Sequence, residues 1–270
     1  MTSVAGFVVM LVAVGFVTGL TTVLFGFGGG FVTVPAVYAA VGGSAGGVDA
    51  MHVAVATSTA IMVVNASSAT VASARQGRLR SEYLWPIVAF IALGAALGAV
   101  AANWAPEKLL RILFVVYIAA TLIDSIVRKG FLGTRDGTQD EKPLPAATST
   151  FGGIGIGAVA GVLGVGGSVI TVPLLRRRGV AMADATAMAN PMSVPVAVTA
   201  TVVYAIANPE MSQAGQIGYV SVVAAAALLA GSVPTIALTK RVLAGCMSDR
   251  VHAIAYLVLL AVVLIAMLVT

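Results

Sequence analysis

Two glycine-rich segments carry the residues most suited to chemistry, GFGGGFVTVP at 26–35 and GVGGSVITVP at 164–173. Glycine has no side chain and accepts positive φ. Gly28, Gly29 and Gly30 in the first segment, and Gly166 and Gly167 in the second, can therefore turn backbone N–H groups toward a ligand. Successive N–H groups leading into the N-terminus of a helix form an anion-binding concavity. Thr33, Ser168 and Thr171 would add hydroxyl donors. Pro35 and Pro173 each free a carbonyl one turn back, which suits a cavity wall or a hinge rather than direct substrate contact. A purely structural reading competes with this one: small residues let membrane helices pack closely, and neighbouring groups can satisfy a proline kink.

Other polar residues lie inside apolar stretches: Ser58, Asn65, Ser67, Ser68, Asn190 and Ser193. At that depth, amide and hydroxyl groups face protein or water rather than lipid. Ser58, Asn190 and Ser193 are the candidate substrate ligands of this set, with helix-to-helix hydrogen bonding as the alternative. Asp49 and Asp184 precede apolar stretches, where aspartate serves as a helix N-cap. His52 follows Asp49 by one turn, and a histidine facing the cavity could carry protons, so His52 and Asp49 form a candidate proton-coupling pair. Asp124 and Arg128 have the spacing of a helical ion pair.

These residues need helices to hold them. Apolar segments run over 4–24, 50–73, 83–103, 108–127, 148–163, 183–206, 217–239 and 250–269. Most are long enough to cross about 30 Å of hydrocarbon at about 1.5 Å per residue. Two shorter apolar pieces, 31–41 and 168–175, follow the glycines. The first segment reads as a retained span rather than a signal peptide, because no basic stretch precedes it.

The glycine segments belong to an internal repeat. Gly26, Gly28, Gly29, Thr33, Val34 and Pro35 match Gly164, Gly166, Gly167, Thr171, Val172 and Pro173 at an offset of 138 residues. Weaker matches place Ser58 on Ser193, Asp49 on Asp184, GRL (77–79) on GQI (215–217) and Gly94 on Gly231. The expected organisation is repeat one at 1–127, a polar linker at 128–147 and repeat two at 148–270, together one transmembrane domain.

Basic residues bear on topology. If the glycine segments do not change sides, the fifteen lysines and arginines split seven against eight. If each glycine segment and its short helix crosses, the split is thirteen against two, with only Lys108 and Arg111 on the minority side. The positive-inside tendency favours the second arrangement, and RRR at 176–178 then reads as an orientation anchor. Five crossings per half invert the second half relative to the first. Both termini lie outside and the linker is cytoplasmic. Inverted repeats with matching broken helices point to a secondary transporter with a site near the midplane.

Composition supports the same class. Of 270 residues, 59% are hydrophobic and 9% are charged, too few charges to cover a soluble domain. The fold class is an all-α polytopic membrane protein. Its net charge of +5 fits loop charges that set orientation, with no nucleic-acid partner. Cys246 alone excludes an intrachain disulfide and a multi-cysteine metal site, and His52 and His252 lack metalloprotease spacing. Neither glycine segment continues into Gly-Lys-Ser/Thr, so direct ATP coupling within the chain is not expected. No serine or carboxylate pair has hydrolase spacing. The sequence predicts no enzyme, cofactor or metal.

GFGGGFVTVPAV, AVATSTAIM and the later QGRL, with the echoes GVGGSVITVPLL and GQIGYV, resemble the TauE/SafE family of sulfite and sulfonate permeases. The resemblance covers nearly the whole chain apart from the linker. It implies transport of a small sulfur-containing anion such as sulfite, thiosulfate or sulfoacetate, in the cell membrane of a bacterium or archaeon, with protons or another ion as a coupling partner. Half two departs from the pattern where Met192-Ser193 replaces Thr57-Ser58. A non-transporting membrane scaffold and a carrier of an unrelated anion such as a carboxylate are the competing readings.

Overall fold

Uncharged apolar runs leave the backbone little choice in a bilayer except to satisfy its own hydrogen bonds as helix. The computed structural model describes residues 4–42, 49–77, 79, 84–127, 148–177, 182–209, 215–242 and 249–269. The expected linker at 128–147 and the side chains of the RRR segment lie outside them. Helix α1 spans Val4–Phe25, a short α2 spans Gly30–Gly42 and α3 spans Ala50–Arg75. Helix α4 covers Ile87–Asn103 and α5 covers Glu107–Val127. A π-helical turn at Thr148–Gly152 leads into α6 at Gly153–Leu163 and a short α7 at Ser168–Arg177. Helices α8 (Met182–Ala205), α9 (Val222–Val242) and α10 (Asp249–Val269) complete the chain. Six of them, α1, α3, α5, α8, α9 and α10, are long and apolar enough to cross a membrane.

One expected span needs correction. The apolar run at 217–239 does not begin as helix: Gln216–Ile217 pairs antiparallel with Val220–Ser221, and α9 starts only at Val222. Gly215 and Gly218 set this hairpin, with φ of 85° and 55°. A Cβ on Gly218 would overlap the Tyr204 carbonyl at the end of α8. The hairpin is tied down by Tyr219 N–H on Tyr204 O (3.1 Å) and by Ser221 N–H on Thr57 Oγ1 (3.0 Å).

Two glycine seams hold the bundle. Along α4 and α6, Cβ atoms on Gly94 and Gly98 would overlap the carbonyls of Ile154 and Ala158, and Cβ atoms on Gly157 and Gly161 those of Ile91 and Ala95. Along α1 and α9, Gly15 meets Leu228 O, Gly19 meets Ser232 O and Gly231 meets Val12 O in the same way. Lipid supplies no hydrophobic drive between helices, so close backbone approach and dispersion must do the work. Helices α3 and α8 pack against each other at the centre, with α2 and α9 against α3 and with α4 and α7 against α8. Helices α5 and α10 pack together at the periphery, where Val116, Ile123, Val258, Val262 and Ile265 are exposed.

Contacts near helix ends fix which ends lie together. Arg111, near the start of α5, donates to Met267 O at 3.2 Å near the end of α10, and its guanidinium lies 5.6 Å from the Tyr38 ring centroid. Met267 O is among the carbonyls a helix C-terminus leaves unpaired, where a cation is favourable. Lys240, near the end of α9, donates to Ala69 O of α3 at 2.7 Å.

Candidate functional site

Left-handed glycines make the two breaks. Helix α1 stops because Gly26 takes φ 72°, and α6 stops because Gly164 takes φ 65°, the usual glycine termination. Gly28 (φ 62°) and Gly29 (φ 88°) continue the first break into α2. Gly166 and Gly167 are not left-handed, so the second break makes a different turn into α7. Neither α2 nor α7 has an acidic residue in its first turn, so the positive ends of both helix dipoles are unopposed there.

The breaks touch each other. A Cβ on Gly30 would lie 2.7 Å from Gly164 O, and one on Gly166 would lie 3.0 Å from Phe27 O. Ser58 Oγ of α3 lies between them, 3.0 Å from Gly30 O and 2.7 Å from Gly164 O. Ser193 Oγ of α8 donates to its own Ala189 O at 3.0 Å. A Cβ on Gly166 would meet that hydroxyl at 2.5 Å and the Ser168 hydroxyl at 3.1 Å. Gly28, Gly29, Gly30, Ser58, Gly166, Ser168 and Ser193 are thus brought into one buried cluster.

The remaining expected residues divide. Thr33 Oγ1 donates to Gly29 O at 2.8 Å, so its proton is already committed within α2. Its counterpart Thr171 is buried and its hydroxyl has no partner, as is true of Ser168. Asn190 Nδ2 donates to Thr22 O at 3.3 Å while its Oδ1 is buried and unpartnered. A Cβ on Gly167 would lie 3.2 Å from Ile156 Cγ2, an apolar neighbour. Pro35 and Pro173 are buried inside α2 and α7, each the sixth residue of its helix.

Asp49 does not cap α3 as expected. It occupies the N-cap position with φ 72°, and its side chain makes no cap hydrogen bond. The left-handed backbone takes the carboxylate away from the first-turn N–H groups and places it 3.6 Å from His52 Nδ1, beyond hydrogen-bond length. His52 Nε2 lies 3.1 Å from Ala102 O, and a carbonyl only accepts, so Nε2 carries a proton. The imidazole stacks on Tyr219 of the hairpin at 5.0 Å. Asp184 lies within the first turn of α8 rather than at its cap, where the helix dipole favours an acid. The His52–Asp49 pair sits at the N-terminus of α3, separate from the glycine cluster at the middle of that helix.

The sequence reading did not select Asn65, Ser232, Thr18 and Thr22 as site residues. A Cβ on Gly29 would lie 2.9 Å from Asn65 Nδ2 and 3.2 Å from Thr22 Oγ1. Ser232 Oγ of α9 donates to Asn65 Oδ1 at 2.9 Å. Asn65 was visible as a polar residue within a span, but Ser232 lies 167 residues away and no local pattern links the two. On its other side the first break is walled by Phe25, Phe27, Phe31 and Tyr256, whose rings stack or tilt at 5.0–5.9 Å. Among the described residues, no group of histidine, cysteine and carboxylate side chains could hold a metal ion.

Apolar helices, glycine seams and a polar cluster buried at the centre define an all-α polytopic membrane protein. A family model described as Sulfite exporter TauE/SafE matches residues 11–267, and the chain belongs to this family of membrane permeases. Neither a curated protein nor a solved structure matches the chain.

Proposed function

We propose that the chain is a secondary transporter of a small sulfur-containing anion, sulfite, thiosulfate or an organosulfonate such as sulfoacetate, held between the two glycine breaks and carried by alternating access. The observation that carries this reading is the contact of the breaks at Gly30–Gly164 and Phe27–Gly166, surrounded by buried polar side chains with unmet capacity. Two helix N-termini without acidic neighbours supply partial positive charge, and Ser168, Thr171 and Asn65 supply donors. No lysine or arginine lies in either break, so an empty site carries no buried charge.

The halves are related as inverted repeats in this reading. The first helix of each half packs on the fourth helix of the other, α1 on α9 and α6 on α4, and this exchange supports a two-fold relation. The contacts of Arg111 with Met267 and of Lys240 with Ala69 support five crossings per half, because four would place each pair on opposite faces. Both termini then lie outside and residues 128–147 in the cytoplasm of a bacterial or archaeal cell. Protons are the proposed coupling ion, with His52 and Asp49 as the carrier. Rocking of one half against the other would open the cluster alternately to each side.

A thermal-shift screen of the purified protein against sulfite, thiosulfate, sulfoacetate, taurine, sulfate and acetate, followed by flux measurements in reconstituted vesicles, tests this function. Stabilisation and flux with a sulfur oxyanion or sulfonate are expected. Stabilisation by acetate alone would turn the assignment to a carboxylate carrier, and neither binding nor flux with any anion would leave a scaffold.

A further inference from the structure

The break of half one is lined by a cluster of polar side chains that the break of half two lacks. At Gly29, with φ 88°, the neighbours are Asn65 Nδ2, Thr22 Oγ1 and Thr18. At the matching Gly167 the neighbours are Ile156 Cγ2 and the Met192 carbonyl. The 138-residue register sets Thr18 on Ile156 and Thr22 on Ala160. The registers that set Ser58 on Ser193 and Gly94 on Gly231 put Asn65 on Ala200 and Ala95 on Ser232. Each polar member of the first cluster therefore has an apolar counterpart in the opposite half.

The cluster has a defined polarity. Asn65 is fully buried, and its Oδ1 accepts from Ser232 Oγ at 2.9 Å. A hydroxyl that donates to the amide oxygen decides which end of the amide faces the break. Asn65 Nδ2 therefore lies against Gly29, and it has no partner. Thr18 turns its Cγ2 methyl toward Gly29, and its hydroxyl is buried without a partner. Thr22 donates to Thr18 O at 2.8 Å, which leaves its lone pairs free to orient a neighbour. A buried donor left unmet is costly, so the missing group is an acceptor.

We propose that Asn65, aimed by Ser232, donates to an oxygen of the bound anion beside Gly29, so that the anion sits against half one rather than evenly between the two breaks. The proposal rests on the paired breaks being the anion site. Asn65 is then a binding residue and Ser232 a positioning residue. Selectivity for an oxygen-bearing anion is set in α3 and α9, while the second break, lined by Ile156 at Gly167, supplies backbone and the Ser168 hydroxyl.

The test uses the full-length protein in detergent, titrated calorimetrically with sulfite, thiosulfate and sulfoacetate. The variants are Asn65→Asp, Asn65→Ala, Ser232→Ala and Ser232→Thr, each with its unliganded melting temperature measured. Loss of a hydrogen bond to a charged ligand weakens binding by about tenfold to a hundredfold. That loss is expected for N65A, and a larger one for N65D, whose carboxylate is nearly isosteric but offers no donor when ionised. Asn65→Ser, uncharged and smaller, serves in place of N65D if that variant does not assemble. S232A should weaken binding by a smaller factor, and S232T should restore it. Wild-type affinity in N65A and N65D would overturn the proposal while leaving the paired breaks as the site. Unchanged affinity in S232A would overturn the orienting role. Failure of the wild type to bind any of the three anions would overturn the proposal together with the reading of the breaks.

Discussion

Gly30 and Gly164 meet backbone to backbone: a Cβ on Gly30 would lie 2.7 Å from the Gly164 carbonyl oxygen. The helix breaks of the two halves are therefore in direct contact, with Ser58 bonded to a carbonyl on each side. Any movement of one half against the other must alter this contact, which would make it the sensitive point of the proposed alternating-access cycle.

Substitution at Gly30 should separate the breaks. Gly30→Val needs room that Gly164 O, the Ser58 hydroxyl at 3.1 Å and Met62 Sδ at 3.2 Å already fill. The variant is expected to reach the membrane, because the long helices are untouched, yet to lose flux by more than about tenfold, the factor for a barrier change of about 1.4 kcal/mol. Vesicle flux normalised to protein content is the measurement.

The breaks should respond unequally to alanine. Gly29→Ala places a side chain at φ 88° and against Asn65 Nδ2 at 2.9 Å, so strain and collision add. A strained left-handed residue alone costs about 1–3 kcal/mol. Gly167→Ala meets the Ile156 Cγ2 methyl at 3.2 Å and Met192 O at 3.7 Å, with no backbone carbonyl closer and no positive φ to maintain. Transport should fall sharply in G29A and stay within about twofold of wild type in G167A, an outcome opposite to equal contributions from the two segments.

Glycines in the seams should behave differently from glycines on the outside. Gly94→Leu and Gly157→Leu would drive side chains into the backbone of the facing helix, at Ile154 and Ile91. Small-residue contacts hold membrane helices together, so these variants should lose folded yield and melting temperature. Gly155 has open space where its side chain would begin, and Gly155→Ala should stay within about 0.5 kcal/mol of wild type. Size-exclusion profiles and thermal unfolding in detergent distinguish the two outcomes.

The long spans were legible because apolar runs without charge have one stable form in a bilayer, and helices α1, α3, α5 and α10 begin and end close to the runs that predict them. Both breaks were legible as glycines, and their pairing as a repeat. What the sequence could not supply was distance. Nothing local joins Asn65 to Ser232, or aims the amide at Gly29, because the partner arrives from the other half of the chain. Asp49 looked like a cap because aspartate is a common one, yet nothing in the residue type signals the left-handed backbone it adopts, with φ 72°. The hairpin at Gln216–Ser221 was hidden in an apolar run, since two glycines and contacts with Tyr204 and Thr57 override the helical reading.

The proposed topology predicts which positions label from which face. Lys108 and Gln76 are both exposed, at the start of α5 and just beyond α3. With Cys246 replaced by serine, a cysteine at position 108 should react with an impermeant thiol reagent added outside intact cells, together with one near the C-terminus. A cysteine at position 76 should react only after the membrane is opened. Labelling of 76 and 108 from the same face would break the five-crossing arrangement and the inversion that follows from it.

The His52–Asp49 pair offers a separate handle on coupling, because it lies away from the glycine cluster. Nε2 is committed to Ala102 O at 3.1 Å, and Nδ1 faces Asp49 at 3.6 Å. Tyr219 of the hairpin between α8 and α9 stacks on the ring. His52→Gln retains a polar group for Ala102 but cannot carry the proton, and Asp49→Asn removes the charge that would stabilise it. Both variants should still be stabilised by substrate in thermal shift, since neither residue touches the breaks. Both should also lose substrate-driven proton movement, read with a pH-sensitive dye inside vesicles. Proton movement unchanged in both variants would remove His52 from the coupling path and leave the anion site standing.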